Sequence, residues 1–225
     1  MKYLSGSLCL SFLLIFSVFS CESPIGFTSP QPANAADLEI IPEVFQGIYL
    51  CDSDSALIKV NDKLIYSELT QIAFTPTEYI QEREDCEIIE DSLYMNGKEM
   101  CVKVEYTKNG FIAAVNIQRD TIFALSQYQR ARWHKGHLVL SNLVTDDLWS
   151  IAILELDEHR GVTYRAITDD SDLNKIHAII EMTPIITKEG PDFKVQPKEV
   201  ELDQLFEDYE IFVDCEHYTR VNVIQ

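Results

Sequence analysis

From residue 40 onward, short apolar runs alternate with turn residues, and this pattern restricts the fold more than any other feature of the chain. Its strongest turn is Asn96-Gly97, because both central residues of a two-residue hairpin turn need positive φ. A second turn at residues 108–110 leads into the apolar run of residues 111–117. The sequence therefore predicts three consecutive antiparallel strands between Ser92 and Ile117.

Two amphipathic helices are predicted near the C-terminus. The first begins at Thr168 as N-cap, and the second has Pro197 at its first position, where the missing N–H costs nothing. Each has an apolar stripe at helical spacing, with Leu173, Ile176, Ile179 and Ile180 in the first and Leu202, Leu205, Phe206 and Tyr209 in the second. We expect both helices to pack on the sheet.

Further β-like runs occur at residues 45–50, 56–60, 64–66, 71–80, 121–125, 138–140, 149–156 and 162–167. The predicted fold class is therefore mainly β (α+β). An antiparallel barrel or sandwich of roughly eight to ten strands suits this length, and a lipocalin-like meander is one possible form. The two short helices complete the domain.

The N-terminus has the pattern of an export signal. Lys2 precedes an apolar run from Leu8 to Phe19, which is too short to span a membrane and has the length of a signal-peptide core. The run ends in Val18-Phe19-Ser20-Cys21, which resembles a lipobox. Residues 1–20 are thus predicted to be a lipoprotein signal peptide, with lipid (diacylglycerol and palmitate) attached to Cys21.

Residues 21–37 contain three prolines and no apolar periodicity. This composition predicts a flexible, lipid-anchored tether, followed by one β-rich domain over residues 38–225. Ala33-Asn34-Ala35 fits a rival, ordinary cleavage site, although it lies unusually far beyond the apolar run.

The charge balance limits the partners. Without the one lysine of the signal, 17 basic residues face 37 acidic ones, and 17 − 37 gives a formal charge of −20. Such a chain repels nucleic acid, so we expect no nucleic-acid partner. It also repels an anionic bilayer, so the lipid rather than a basic surface must hold the domain at the membrane.

Four cysteines remain in the processed domain. Their even number in an exported protein predicts two disulfides, whose pairing the sequence leaves open; buried free thiols are the alternative, and zinc is weaker because no CxxC occurs. These cysteines are Cys51, Cys86, Cys101 and Cys215.

Catalytic and metal-binding signals are weak. His134 and His137 are three residues apart, and on one extended strand this spacing places them on opposite faces, where they cannot chelate together. The chain has no G-x-S-x-G elbow, P-loop or Gly-rich dinucleotide loop. We therefore predict no catalytic residues, no metal site and no cofactor.

One basic and aromatic segment stands out in this acidic chain. Such residues can bind an anionic or sugar-like ligand or an acidic protein surface, while charge balance on a strand edge is the simpler explanation. The predicted binding patch consists of Tyr128, Arg130, Arg132, Trp133 and Lys135.

Several of these segments resemble the small outer-membrane lipoproteins of Bacteroidota, a group with no established activity. The resemblance covers most of residues 40–220. It is carried by the lipobox, the first strand at residues 45–50, the phrase at residues 120–126, the Trp133 and Trp149 strands, the helix after Thr168 and the Pro-Lys-Glu helix at Pro197. It implies an outer-membrane lipoprotein with a β-rich domain.

The predicted function is a lipid-anchored, non-enzymatic binding or structural module of the cell envelope. We expect it on the outer membrane, facing the periplasm or the cell surface, with an envelope protein as a possible partner. The alternatives are an envelope hydrolase whose residues meet only in three dimensions and a lipocalin-like lipid carrier.

Overall fold

A computed structural model describes residues 23–95, 100–107, 109–186 and 190–221 of the 225-residue chain. Within these ranges, Met100, Cys101, Asn116, Asp214 and Cys215 are described by their backbone alone. The described residues form fifteen strands and three short helices, so the mainly β, α+β prediction is confirmed. The strands make one large sheet that is not closed into a barrel, which agrees with a sandwich-like form.

The strands are more numerous than predicted because several contain only two to four residues. They are β1 Ile25–Phe27, β2 Gly47–Cys51, β3 Leu57–Val60, β4 Leu64–Pro76, β5 Cys86–Ile89, β6 Ser92–Met95, β7 Met100–Tyr106, β8 Phe111–Ala124, β9 Gln129–His134, β10 His137–Leu143, β11 Trp149–Leu156, β12 Val162–Ala166, β13 Thr183–Pro184, β14 Phe193–Val195 and β15 Val213–Arg220. The helices are α1 Thr77–Gln81, α2 Leu173–Ile179 and α3 Glu199–Glu207.

The strand order is β13-β14-β1-β11-β12-β15-β2-β3-β4-β8-β7-β6-β5. The hairpin of β9 and β10 joins this path through β11. Neighbouring strands are antiparallel except for β1 and β14, which run parallel. The N-terminal strand and the β5–β8 meander therefore lie towards opposite ends of the strand order.

The predicted meander between Ser92 and Ile117 is confirmed by the pairing of β6 with β7 and of β7 with β8. Residues 96–99, which include the predicted Asn96-Gly97 turn, lie outside the described residues. Two differences concern strand length: β8 is one strand of 14 residues where two were predicted. β4 ends at Pro76, and the one-turn helix α1 replaces the predicted end of this strand, since proline cannot donate to a sheet ladder.

Three hydrophobic clusters hold these elements together. One lies between the β1–β10–β11 region and helices α2 and α3. The second lies on the other face of β10 and β11 and includes residues of β2, β3, β4, β8, β9, β12 and β15. β10 and β11 are buried on both faces: Val139 and Ile153 belong to the first cluster, while Leu138 and Leu154 belong to the second. A smaller third cluster lies under the meander, around Val104 and Ile112.

Most of the predicted helical stripes are buried, with Ile176, Leu202, Leu205 and Phe206 in the first cluster. The prediction is wrong for Tyr209, which lies beyond the end of α3 and is 62% exposed. The helix starts differ from the prediction. α2 is capped by Asp172, whose side chain accepts hydrogen bonds from the backbone N–H groups of Asn174 and Lys175, whereas Thr168 belongs to a preceding turn. α3 begins at Glu199, two residues beyond Pro197, with Lys198 as its N-cap.

The N-terminal segment differs most from expectation. Residues 23–37, predicted as part of a flexible tether, are instead packed on the domain. Ile25 and Phe27 have no exposed surface, and β1 pairs with both β11 and β14. The segment's proline-rich composition resembles a linker, but long-range contacts give it a fixed path.

Candidate functional site

The five residues of the predicted binding patch do not form one surface. They lie on β9 and its flanks, where alternate side chains point to opposite faces. Arg130 lies over the ring of Trp149 at 5.5 Å. Trp133 meets Phe45 edge to face at 5.8 Å, in the region of the second cluster. Alternation along the strand therefore separates Trp133 from the two arginines.

Arg132 holds the N-terminal segment in place. Its Nε donates to Oδ1 of Asp37 at 2.7 Å, and its Nη1 donates to the carbonyl oxygens of Pro30 and Pro32, both at 2.7 Å. Arg132 is only 8% exposed. Arg130 adds a bond from Nη1 to Oδ2 of Asp37 at 2.9 Å. The main contacts of Arg132 are therefore structural, and its guanidinium is not available to an external ligand.

Lys135 also has an internal partner. Its Nζ lies 2.6 Å from Oδ2 of Asp203 on α3, and this bond raises the pKa of Lys135 and lowers that of Asp203. Tyr128 and Trp133 keep 58% and 42% of their surface exposed. Unlike Arg130, Arg132 and Lys135, these two exposed side chains are not part of an ion pair. Sequence could not indicate the partners, because Asp37 and Asp203 are distant in the chain.

His134 and His137 lie directly opposite each other on β9 and β10, so they share one face of the sheet. The sequence interpretation, which placed them on opposite faces, is wrong because it assumed one continuous strand. Lys135 and Gly136 instead form a tight turn with φ of 47° and 95°. A two-residue loop with glycine in second place is a hairpin signal, and it could have revealed this arrangement.

The two histidines contact α3 through Phe206, whose ring meets each imidazole edge to face at 5.8 Å. Nε2 of His134 lies 2.7 Å from Oδ1 of Asp203. Nδ1 of His137 lies 3.4 Å from Oε1 of Glu155, whose other oxygen accepts from Arg165 at 3.0 Å. Burial lowers the pKa of His137, so this imidazole tends to stay neutral.

This histidine cluster has the acid–base groups of a catalytic site but lacks other parts of one. Its contacts supply no Ser or Cys nucleophile, and each carboxylate already has a cationic partner. Across the part of the chain that the structure describes, no three His, Cys, Asp or Glu side chains are grouped to hold a metal ion. Its contacts with Asp203 and Phe206 join the β9–β10 hairpin to α3.

A second titratable cluster surrounds His217 on β15. Its Nδ1 lies 2.6 Å from Oδ2 of Asp52, and its Nε2 lies 3.4 Å from Oδ2 of Asp157. The hydrogen bond to Asp52 is the main reason why the pKa of His217 is raised. All three side chains are at least one-third exposed, so this is a surface ion-pair network.

Cys51 and Cys86 carry free thiols. Burial raises the pKa of both, so neither is an activated nucleophile. The side chains of Cys101 and Cys215 lie outside those that the structure describes. Neither Cys51 nor Cys86 takes part in a disulfide here, and any bridge that involves the other two stays a prediction.

A shallow groove of about 540 Å³ lies beside the ends of α2 and α3. Its lining includes the carboxylates of Glu207, Asp208 and Glu210, and Lys175 pairs with the last two. An acidic, open groove does not suit the apolar chain of a lipid.

The most unusual surface is the outer half of the long β4–β8 hairpin, residues 70–76 and 111–117, which we call the arm. Its pairs Ile72–Val115, Phe74–Ala113 and Pro76–Phe111 are in regular antiparallel register, so these side chains share one face. On this face, the exposed fractions are 55% for Ile72, 65% for Phe74, 41% for Phe111 and 52% for Ile117. On the opposite face, Ile112 and Ala114 of β8 pack in the third cluster. The arm therefore has one partly buried face and one uncovered apolar face.

The arm also has an uncovered edge. β3 pairs with β4 only from Ile65 to Glu68, and among the described strands none pairs with the outer edge of residues 70–76. This edge offers unpaired backbone N–H and C=O groups to an added strand. Apolar side chains next to an open edge are the features that strand-adding partners recognise.

Within the described residues, no helix has both the length and the apolar character needed to cross a bilayer. Comparisons with family models, curated proteins and solved structures give no match to this chain.

Proposed function

We propose that this protein is a lipid-anchored, non-enzymatic binding module of the cell envelope, held at the outer membrane through Cys21. It recognises a protein partner through the uncovered face and edge of the arm. The observation that carries this proposal is the row of large apolar side chains exposed on one face of the arm. Contiguous exposed apolar surface of this kind is typical of interaction sites.

The position of β1 supports lipidation at Cys21 over cleavage after Ala35. Cleavage after Ala35 would remove Ile25 and Phe27, which are both fully buried in the first cluster. It would also remove Pro30 and Pro32, whose carbonyl oxygens accept from Arg132. Cleavage before Cys21 leaves all of these contacts intact.

Charge indicates what kind of partner the arm binds. Residues 70–117, which form the arm and its meander, contain 9 acidic and 4 basic residues, and 4 − 9 gives a net charge of −5. Two copies of this surface would repel each other, and an anionic bilayer would repel the arm. The arm therefore fits a different protein whose apolar surface is surrounded by lysine and arginine.

Anchoring is tested by metabolic labelling of cells with radioactive palmitate. The full chain should incorporate label, and the Cys21→Ala variant should not. The N-terminus of the processed protein should be blocked at residue 21. Labelling of Cys21→Ala, or a mature N-terminus at Ala36, would contradict the proposed anchor.

Partner binding is tested by crosslinking in intact cells, with the double variant Ile72→Ser/Phe74→Ser against the parent. Val200→Ser is the matched control, because Val200 is 62% exposed on α3 and lies outside the arm. The expected partner is lost only with the arm variant. The purified partner should bind the parent protein more weakly as the salt concentration is raised, because the attraction is partly between charges.

Two results would overturn the arm as the binding surface. One is capture that the arm variant leaves unchanged. The other is crosslinking of the chain to a second copy of itself, or to lipid alone, through the arm.

A further inference from the structure

Two loops meet beside the N-terminal strand. The first is residues 144–148, between β10 and β11, and the second is the described part of the β13–β14 connection, residues 185–186 and 190–192. A Cβ atom built on Gly26 would lie 3.0 Å from Cγ of Pro191 and 3.1 Å from Cβ of Leu148. The two loops therefore close against β1, and we call them the β1-flanking loops.

The second of these loops is bonded directly to Pro24, near the N-terminal end of the described residues. The carbonyl oxygen of Pro24 accepts from the backbone N–H of Asp192 at 2.9 Å and of Phe193 at 3.1 Å. The carbonyl oxygen of Asp192 in turn accepts from Ile185 at 2.9 Å. Ile185, the residue before Ile186, is therefore linked to Pro24 through Asp192.

Cys21 precedes Pro24 by three residues, so even a fully extended chain separates them by only about 11 Å. If Cys21 carries lipid, the domain does not stand off on a long tether. The β1-flanking loops must then lie at the bilayer surface, because their backbone is bonded to the residues that follow the anchor.

Each β1-flanking loop presents an apolar side chain to solvent. Ile186 is fully exposed, with a relative exposure of 105%, and Val144 is 46% exposed. An exposed isoleucine is commonplace on its own, but here it lies beside the predicted lipid attachment point. Burial of such side chains in the acyl boundary adds to the affinity of a lipid anchor.

We propose that the β1-flanking loops form the membrane-contact surface of the protein, with Ile186 and Val144 inserted into the outer part of the bilayer. This inference rests on the proposed lipid anchor at Cys21. Asp146, Asp147 and Asp192 are exposed on the same loops. Their carboxylates favour a zwitterionic bilayer over an anionic one.

This contact also predicts that the arm stays away from the lipid, because β4 and β8 pair with neither β1 nor β14. β1 and β14 lie towards one end of the strand order, and β4 and β8 lie towards the other. A domain that rests on its β1-flanking loops presents the arm as a surface for proteins rather than for lipid.

The test uses the full, lipidated chain bound to vesicles of phosphatidylethanolamine and phosphatidylcholine that contain brominated phosphatidylcholine as a quencher. An Ile186→Trp variant reports on the loop. Phe74→Trp is the matched control, because Phe74 is also an exposed apolar residue and lies on the arm. The native Trp133 and Trp149 are common to both variants and are subtracted with the parent protein.

We expect a blue shift and a loss of the added fluorescence for Ile186→Trp and neither change for Phe74→Trp. If both variants float with the vesicles but the Ile186→Trp signal is not quenched, the membrane contact is wrong and the anchor stands. If the chain does not float with the vesicles, the anchor itself fails, and the membrane contact fails with it. Equal quenching of the two variants would also overturn the proposed orientation.

Discussion

The guanidinium of Arg132 and the carboxylate of Asp37 are joined by a hydrogen bond of 2.7 Å between Nε and Oδ1. This contact ties β9 to the segment between β1 and β2. Arg132 also binds the carbonyl oxygens of Pro30 and Pro32, so one side chain fixes much of a proline-rich segment that has little regular structure of its own.

The first prediction compares two neighbouring arginines. Arg132→Ala should lower the free energy of unfolding by about 3 kcal/mol, because it leaves the buried carbonyl oxygens of Pro30 and Pro32 without their donor and removes one of the two arginines that bind Asp37. Arg130→Ala should lower it by less than about 1 kcal/mol, because the Arg130 side chain is 37% exposed and its ion pair is solvated. Urea unfolding of both variants measures the difference, and equal losses would contradict the structural role of Arg132.

The second prediction concerns β1 and uses two phenylalanines of opposite exposure. Phe27→Ala should destabilise the domain by roughly 3–5 kcal/mol, since the ring is fully buried. Phe74→Ala should change stability by less than about 0.5 kcal/mol, since this ring is 65% exposed. Thermal and urea unfolding provide the measurement. A stable Phe27→Ala variant would mean that the N-terminal segment is not part of the core.

The third prediction is a pH effect of His217, whose pKa is raised mainly by its hydrogen bond to Asp52. Because the folded-state pKa lies above the ordinary value of 6.5, the added stability is fully present below that value. It is lost as the pH rises through the folded-state pKa. The stability difference between the parent and His217→Gln should therefore shrink as pH rises from 6.5. The effect is small because His217 is well exposed, and NMR titration of the imidazole checks its sign.

The fourth prediction has the opposite sign and concerns His137. Burial lowers its folded-state pKa, and the nearby Arg165 and His134 act in the same direction, while Glu155 and Glu207 oppose them. The neutral imidazole thus contributes stability above pH 6.5, and this contribution is lost as the pH falls through the lower folded-state pKa. His137→Gln should make unfolding less sensitive to mild acid. Urea unfolding at a series of pH values tests this, and an unchanged acid dependence would contradict it.

Local patterns were sufficient for several elements. β11 spans Trp149–Leu156, residue for residue as predicted, because alternating bulky apolar residues between two turns are a local signal. The buried stripes of α2 and α3 were also readable, since helical spacing alone identifies the face that must be buried.

Other features depend on contacts between distant residues. Lys135 and Asp203 are 68 positions apart, and Arg132 and Asp37 are 95 apart. No local pattern indicates such partners, so a sequence reading could only treat the cations as an exposed patch. The single strand β8 is similar: its polar middle, residues 118–120, separated two predicted strands, but its long register with β4 keeps it extended.

The sequence by itself determined the mainly β fold class, the meander, the two amphipathic helices and the acidic charge, because each follows from residue type and short-range periodicity. Only the tertiary structure decided that residues 23–37 pack on the domain, that His134 and His137 share a face, and that the apolar face of the arm stays uncovered. These features depend on which distant segments meet, and no single stretch of the chain determines the energy of such contacts.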